Sequence, residues 1–122
     1  MIAFRYLVAD VDKAKAFYVD LLGFHLVRHW GPAFAEVERD GVRLWLSGPQ
    51  ASAARSMPDG QKPVPGGWNR VALIVSDLES MVRTLRDAGA TFRSDIIRGP
   101  GGAQTLVEDG SGNVVELFEP RE

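Results

Sequence analysis

The chain repeats itself, and that repeat limits its fold more than any other feature. The segment Phe4-Arg5-Tyr6-Leu7-Val8-Ala9-Asp10-Val11 aligns with Val71-Ala72-Leu73-Ile74-Val75-Ser76-Asp77-Leu78, so Asp77 follows Asp10 by 67 positions. The closing segments align too. Gly41-Val42-Arg43-Leu44-Trp45-Leu46-Ser47-Gly48-Pro49 matches Gly112-Asn113-Val114-Val115-Glu116-Leu117-Phe118-Glu119-Pro120 at an offset of 71 positions. Two matched ends in the same order mark a tandem duplication, with four extra residues inside the second copy.

Each copy reads as one strand, one helix and three strands. In the first, a strand over residues 2–8 leads to a helix over 11–22. Val11, Ala14, Phe17, Tyr18, Leu21 and Leu22 are spaced to cover one helical face. Asp10 or Asp12 suits its N-cap, and Gly23 suits the left-handed C-terminal cap. Strands near 24–30, 34–38 and 42–46 follow, the last two joined at Asp40-Gly41, a tight hairpin signal. In the second copy a strand over 70–75 precedes Ser76-Asp77-Leu78-Glu79, which has the pattern of a capping box. The helix behind it carries Leu78, Met81, Val82 and Leu85 and stops at Gly89. Strands near 91–97, 104–108 and 114–118 complete the unit, with Gly99-Pro100-Gly101-Gly102 as a hairpin loop. The domain expectation is one domain over 1–122, with repeat 1 about 1–49, a connecting segment about 50–67, and repeat 2 about 68–122. The Pro-, Gly- and Ser-rich connector is either a plain linker or a lid.

Composition excludes several classes. With 45% hydrophobic and 25% charged residues the chain has globular, not disordered, proportions. There is no cysteine, hence no disulfide framework or thiolate chemistry. A net charge of −2 without a block of one sign argues against a nucleic-acid partner. The apolar run 71–75 is far below the roughly 20 residues that span a bilayer. No membrane partner and a cytoplasmic location are therefore expected.

The opening strand, Asp10-Val11, Ala16-Phe17-Tyr18 and Leu21-Leu22-Gly23-Phe24 resemble the start of the vicinal-oxygen-chelate superfamily. This is the group of glyoxalase I, extradiol dioxygenases and bleomycin-resistance proteins. Val107-Glu108-Asp109-Gly110-Ser111-Gly112-Asn113-Val114-Val115-Glu116-Leu117 resembles its closing hairpin, with Gly110 where proline is common. The resemblance implies an α+β fold in which two tandem βαβββ units form a curved eight-stranded sheet, a cup with the helices on its outer face. It also implies a homodimer.

Metal-dependent members hold a divalent ion with His and Glu side chains from the first and last strands of each copy. The matching positions here are Ala3, Trp45, Arg70 and Glu116. Alanine and tryptophan offer no lone pair, and arginine is a permanent cation, so only Glu116 is able to ligate. One carboxylate falls short of the three or four protein ligands usual for a transition metal. No metal and no cofactor are expected. The two histidines, His25 and His29, would share a strand face about 13 Å apart, too far to chelate one ion.

Strand alternation, with those four positions turned inward, lines the cup with Arg5, Arg43, Trp45, Arg70, Glu116 and Phe118 as candidate ligand-binding residues. Phe4, Tyr6, Val8, Val42, Leu44, Leu46, Val71, Leu73, Val75, Val115 and Leu117 then pack toward the helices. Trp45 suits stacking on a flat ring and an arginine suits a carboxylate or phosphate, while Arg70 and Glu116 alternatively pair with each other. The expected function is metal-free binding of a small organic ligand, with antibiotic sequestration as a use. Two alternatives remain: an enzyme of the superfamily with Glu116 as general base and an arginine stabilising negative charge, and a partner-binding module.

Overall fold

The computed structural model describes residues 1–121 and divides into two compact units, Met1–Gly66 with Gly110–Gly112, and Gly67–Asp109 with Asn113–Glu122. Both units have the strand–helix–three-strand order of an α+β βαβββ motif, and the eight strands pair as two sheets of four.

In the first unit, β1 (Ala3–Leu7) precedes α1 (Val11–Ala16), which continues as one π-helical turn over Phe17–Leu21. β2 (His25–Trp30), β3 (Phe34–Arg39) and β4 (Val42–Ser47) follow. The sheet order is β1-β4-β3-β2, with β1 parallel to β4 and the other pairs antiparallel. Asp10 is the N-cap, its carboxylate accepting from Lys13 N at 3.0 Å, which satisfies one orphan donor of the first turn. Val11, Ala14, Tyr18 and Leu22 of the helical segment are buried against Val37, Leu44 and Leu46 of the sheet. Tyr18 anchors this core, edge-on to Tyr6, Phe17 and Phe24 at 6.1, 5.1 and 5.6 Å between centroids. Each fully buried leucine here contributes roughly 1.5–3 kcal/mol of transfer free energy. Phe24 N donates back to Tyr18 O at 3.0 Å while Gly23 takes φ 74°, so the expected glycine stop ends the helix.

The second unit repeats this topology. β5 (Ala72–Ile74), α2 (Leu78–Asp87), β6 (Ile97–Gly99), β7 (Gly102–Glu108) and β8 (Val114–Pro120) form a sheet of order β5-β8-β7-β6, with β5 parallel to β8. The duplication is visible in the ladders. Arg5 pairs with Trp45 in the first sheet and Ala72 with Glu116 in the second, the same two offsets as in the sequence. Leu78, Val82 and Leu85 of α2 are buried, as are Val115 and Leu117 of β8. The Asp109–Asn113 turn closes the last hairpin: Asn113 Nδ2 donates to Asp109 Oδ2 at 2.9 Å, and both side chains are buried. The Asp-Gly-Ser-Gly-Asn signature is therefore a hairpin lock.

Several local expectations change. The Ser76 capping box does not form. Asp77 is the cap, accepting from Ser80 N at 3.1 Å, while Glu119 of β8 accepts from Leu78 N at 2.8 Å and Glu79 pairs with Arg98 at 2.7 Å. A cross-element carboxylate thus satisfies another donor of the first turn, Leu78 N, while Glu79 turns to Arg98. Of the strand expected over 91–97, only Ile97 lies in β6, and Phe92 makes an isolated bridge to Val107. Phe4, on the edge strand β1, and Val42, beside the β3–β4 turn, were expected in the core and are 49% and 38% exposed. Val71, Leu73 and Val75 are only partly covered. The histidines do not share a face. A bulge between Leu26 and Arg28 reverses the alternation, so His25 opposes Glu38 while His29 opposes Ala35 and its Nε2 lies 3.0 Å from Asp12 of α1.

Candidate functional site

The open face of the first sheet is built by one turn and one bulge. At the β3–β4 turn Asp40 has φ 52° and Gly41 φ 80°, the double left-handed geometry of a two-residue hairpin. That turn sets Arg39 opposite Val42, and therefore Glu38 opposite Arg43, Glu36 opposite Trp45, and Phe34 opposite Ser47. The parallel strand β1 adds Arg5 beside Trp45. On the far side the β2 bulge brings Arg28 opposite Glu36 and Trp30 opposite Phe34. Directly paired residues share a face, so three arginines, Glu36 and three aromatic rings converge, with Glu38 on the same face at its turn end, where it accepts from Gly41 N at 3.1 Å.

They enclose a cavity of about 510 Å³, bordered also by Gln50, Ala51 and Ser52 at the start of the connector. Trp30, Phe34 and Trp45 form a continuous aromatic wall, with centroids 5.4 Å apart for the first pair and 6.4 Å for the second. The volume falls within the range of small-molecule sites, and the mix of aromatic wall with a few placed polar groups is their usual make-up.

Glu36 is the polar centre. It is only 3% exposed, a burial that a carboxylate tolerates when it is charged and fully bonded. Trp45 Nε1 donates to its Oε2 at 3.0 Å and Arg43 Nη1 donates to the same oxygen at 3.2 Å, while Arg28 Nε lies 2.9 Å from Oε1. Burial pushes its pKa up. The hydrogen bonds from Trp45 and Arg43 and the charges of Arg28 and Arg43 outweigh that, and the carboxyl is held below the ordinary glutamate range. Glu36 thereby fixes the indole plane of Trp45 and neutralises part of the charge of two arginines.

Arg5 is held differently. Its Nη1 donates to the buried Ser47 Oγ at 2.8 Å, and its guanidinium carbon lies 4.9 Å from the centre of the Trp45 ring, a cation–π contact. No carboxylate among the described residues pairs with it.

Of the residues singled out from sequence, the structure thus brings Arg5, Arg43 and Trp45 together in the first unit. In the second unit Arg70 and Glu116 pair. Arg70 Nε and Nη2 both donate to Glu116 Oε1, at 3.0 and 2.8 Å. Phe118 lies on β8 opposite Gln104 and next to Ile74 of β5. Glu36, Arg28, Trp30 and Phe34 were not singled out. Two of them were within reach, since the Asp-Gly turn and strand alternation put Glu36 across from Trp45 and Phe34 on the same face. Arg28 and Trp30 reach that face only because of the bulge.

The positions that the resemblance makes metal ligands do not fit an ion in either unit. Ala3 and Trp45 have no donor lone pair, and the Trp45 indole N–H is spent on Glu36. Glu116, the one carboxylate, is clasped by Arg70. Among the described residues no group of three or more His, Cys, Asp or Glu side chains is placed to hold a metal.

The comparisons with known proteins agree with this architecture. The model of the Glyoxalase/Bleomycin resistance protein/Dioxygenase superfamily matches residues 2–117, and the chain belongs to that superfamily. A solved member of the superfamily from Sphaerobacter thermophilus DSM 20745 is 31% identical with a TM-score of 0.75, covering 96% of this chain and 94% of that one. TnmS3, an antibiotic binding protein from Streptomyces sp. CB03234, is 26% identical with a TM-score of 0.74 over 98% of this chain and 93% of its own. A lactoylglutathione lyase from Agrobacterium tumefaciens has the same fold at 21% identity and a TM-score of 0.75, covering 98% of this chain and 92% of that one. No curated protein matches. No helix among the described residues is long and apolar enough to cross a membrane.

Proposed function

We propose that this protein binds a small organic ligand without a metal ion, in the cavity on the open face of the first unit, and that sequestering an antibiotic-like compound is its use. The carrying observation is Trp45. At a position where the resemblance implies a metal ligand stands an indole, locked by Glu36 into the wall of a 510 Å³ cavity. A ring held flat and half-buried offers a stacking surface at little further entropic cost. The antibiotic-binding relative supports the same use. The connector bordering the cavity through Gln50, Ala51 and Ser52 acts as its lid in this proposal. A homodimer in the cytoplasm belongs to it as well, the absence of cysteine suiting a reducing compartment.

The enzyme alternative finds less support. A guanidinium clasped on Glu116 through two hydrogen bonds must leave before that carboxylate takes a substrate proton. A thermal-shift screen of aromatic, acidic and antibiotic compounds tests the proposal, followed by turnover assays on each hit. Ligands that raise Tm and are recovered unchanged are expected. Chemical conversion of the hits would restore the enzyme reading.

A further inference from the structure

We infer that the ligand of the first-unit cavity is a flat aromatic monoanion, a ring bearing a carboxylate, with Arg5 as the residue that selects it; this rests on the ligand-binding function proposed above. The argument is one of charge and of donor edges. Three guanidinium groups line the cavity, from Arg5, Arg28 and Arg43, against one carboxylate. Two of the three are committed to Glu36: Arg28 through Nε at 2.9 Å and Arg43 through Nη1 at 3.2 Å. The cavity therefore keeps an excess of positive charge, and the excess is centred on Arg5. An anion entering it replaces no existing ion pair.

The geometry at Arg5 narrows the anion further. Its Nη1 is tied to Ser47 Oγ, a side chain with no exposure of its own. The edge formed by Nε and Nη2 makes no hydrogen bond among the described residues. That edge is a two-pronged planar donor, matching the two oxygens of a carboxylate. The same guanidinium lies over Trp45, 4.9 Å from the ring centre, and Trp45 faces Phe34 and, beyond it, Trp30. A carboxylate on the Arg5 edge thus places its attached ring along an aromatic wall. A cation in the same cavity would face three guanidinium groups, with Glu36 already saturated.

Three isosteric probes test this on the full chain: 2-naphthoate, the neutral 2-naphthamide, and the cationic 2-naphthylmethylammonium. Binding is read by calorimetry at low salt. The parent is expected to prefer the naphthoate to the amide by about ten-fold or more, with the cation weakest. Arg5→Gln should weaken naphthoate far more than the amide, so that most of the preference for the acid is lost. Arg5→Lys, which keeps the charge but loses the fork, should retain part of the preference. If Arg5→Gln fails to fold, salt gives the same reading on the parent: naphthoate binding should weaken with added NaCl and amide binding should not. Equal affinity for acid and amide would overturn the anion inference while leaving the cavity as a neutral-ligand site. A preference for the cation would overturn it and make Glu36 the selecting group. Binding of none of the three would overturn both this inference and the cavity as an aromatic-ligand site.

Discussion

Replacing Glu36 by glutamine removes one charge and changes almost no volume, so its cost reports what the buried carboxylate does. The amide has one acceptor and one donor end. With its oxygen at the Oε2 position the bonds from Trp45 and Arg43 survive. The NH2 then confronts Arg28 Nε across 2.9 Å, donor against donor. The reverse orientation breaks two bonds in place of one and is worse. Arg28, whose side chain is 49% exposed, escapes by swinging into water, which spares the full penalty of a stranded charge. What remains is the loss of one charge-assisted contact and the weakening of two more, about 2 kcal/mol in all. For a domain of this size that lowers Tm by roughly 6–12 °C.

The sign of the pH dependence follows from the lowered pKa of Glu36. Its ionisation stabilises the fold fully above the ordinary glutamate value, about pH 4.3, and the contribution fades as pH falls through the lower folded value. Urea denaturation of parent and variant at neutral pH and in acid is the assay. The gap in midpoint should be widest at neutral pH and close in acid, with m unchanged. A gap within about 0.5 kcal/mol at neutral pH, the scatter of ordinary surface substitutions, would refute the view of Glu36 as the hub of this face.

Other outcomes are expected from the same geometry. Trp45→Ala should still fold, yet weaken any validated cavity ligand by about 1 kcal/mol or more in a titration; unchanged affinity would remove the ring from the site. The purified protein should carry no stoichiometric Zn²⁺, Ni²⁺ or Fe²⁺ by elemental analysis, and chelator should leave Tm where it is. Gly102→Ala should cost about 2 kcal/mol or more in urea melts, because Gly102 has φ 150° and a Cβ there would collide with the backbone carbonyl of Glu119. Gly101→Ala, whose Cβ would meet nothing within 4 Å, is the control and should be near neutral. Light scattering at micromolar concentration should give the mass of a dimer.

Much of this was legible in the residue order because it depends on local chemistry. Strand alternation assigns Arg5, Arg43 and Trp45 to one face and Leu44 and Leu46 to the other, since successive side chains leave a strand on opposite sides. Gly23 and the Asp40-Gly41 pair announce their positive φ because few other residues adopt it cheaply. The duplication announces itself twice, at both ends of the unit, and the same offsets return as ladder register. The pairing of Arg70 with Glu116 was one of two readings that their opposite charges left open, the other being ligand binding.

What tertiary structure alone decided lies where elements distant in sequence meet. The bulge in β2 has no sequence signature, yet it alone turns Arg28 and Trp30 toward the cavity and His29 toward α1. The cap of α2 is Asp77 in place of a Ser76–Glu79 box, and a carboxylate from β8, Glu119, 41 residues away, takes the Leu78 N–H of the first turn. Glu36 is the clearest case. As a glutamate in an alternating strand it reads as a solvated side chain, and the turn register places it only opposite Trp45. Its burial, its three donors and its lowered pKa exist because β2, β3 and β4 bring Arg28, Arg43 and Trp45 onto one carboxylate, and a one-dimensional pattern of side chains does not encode that convergence.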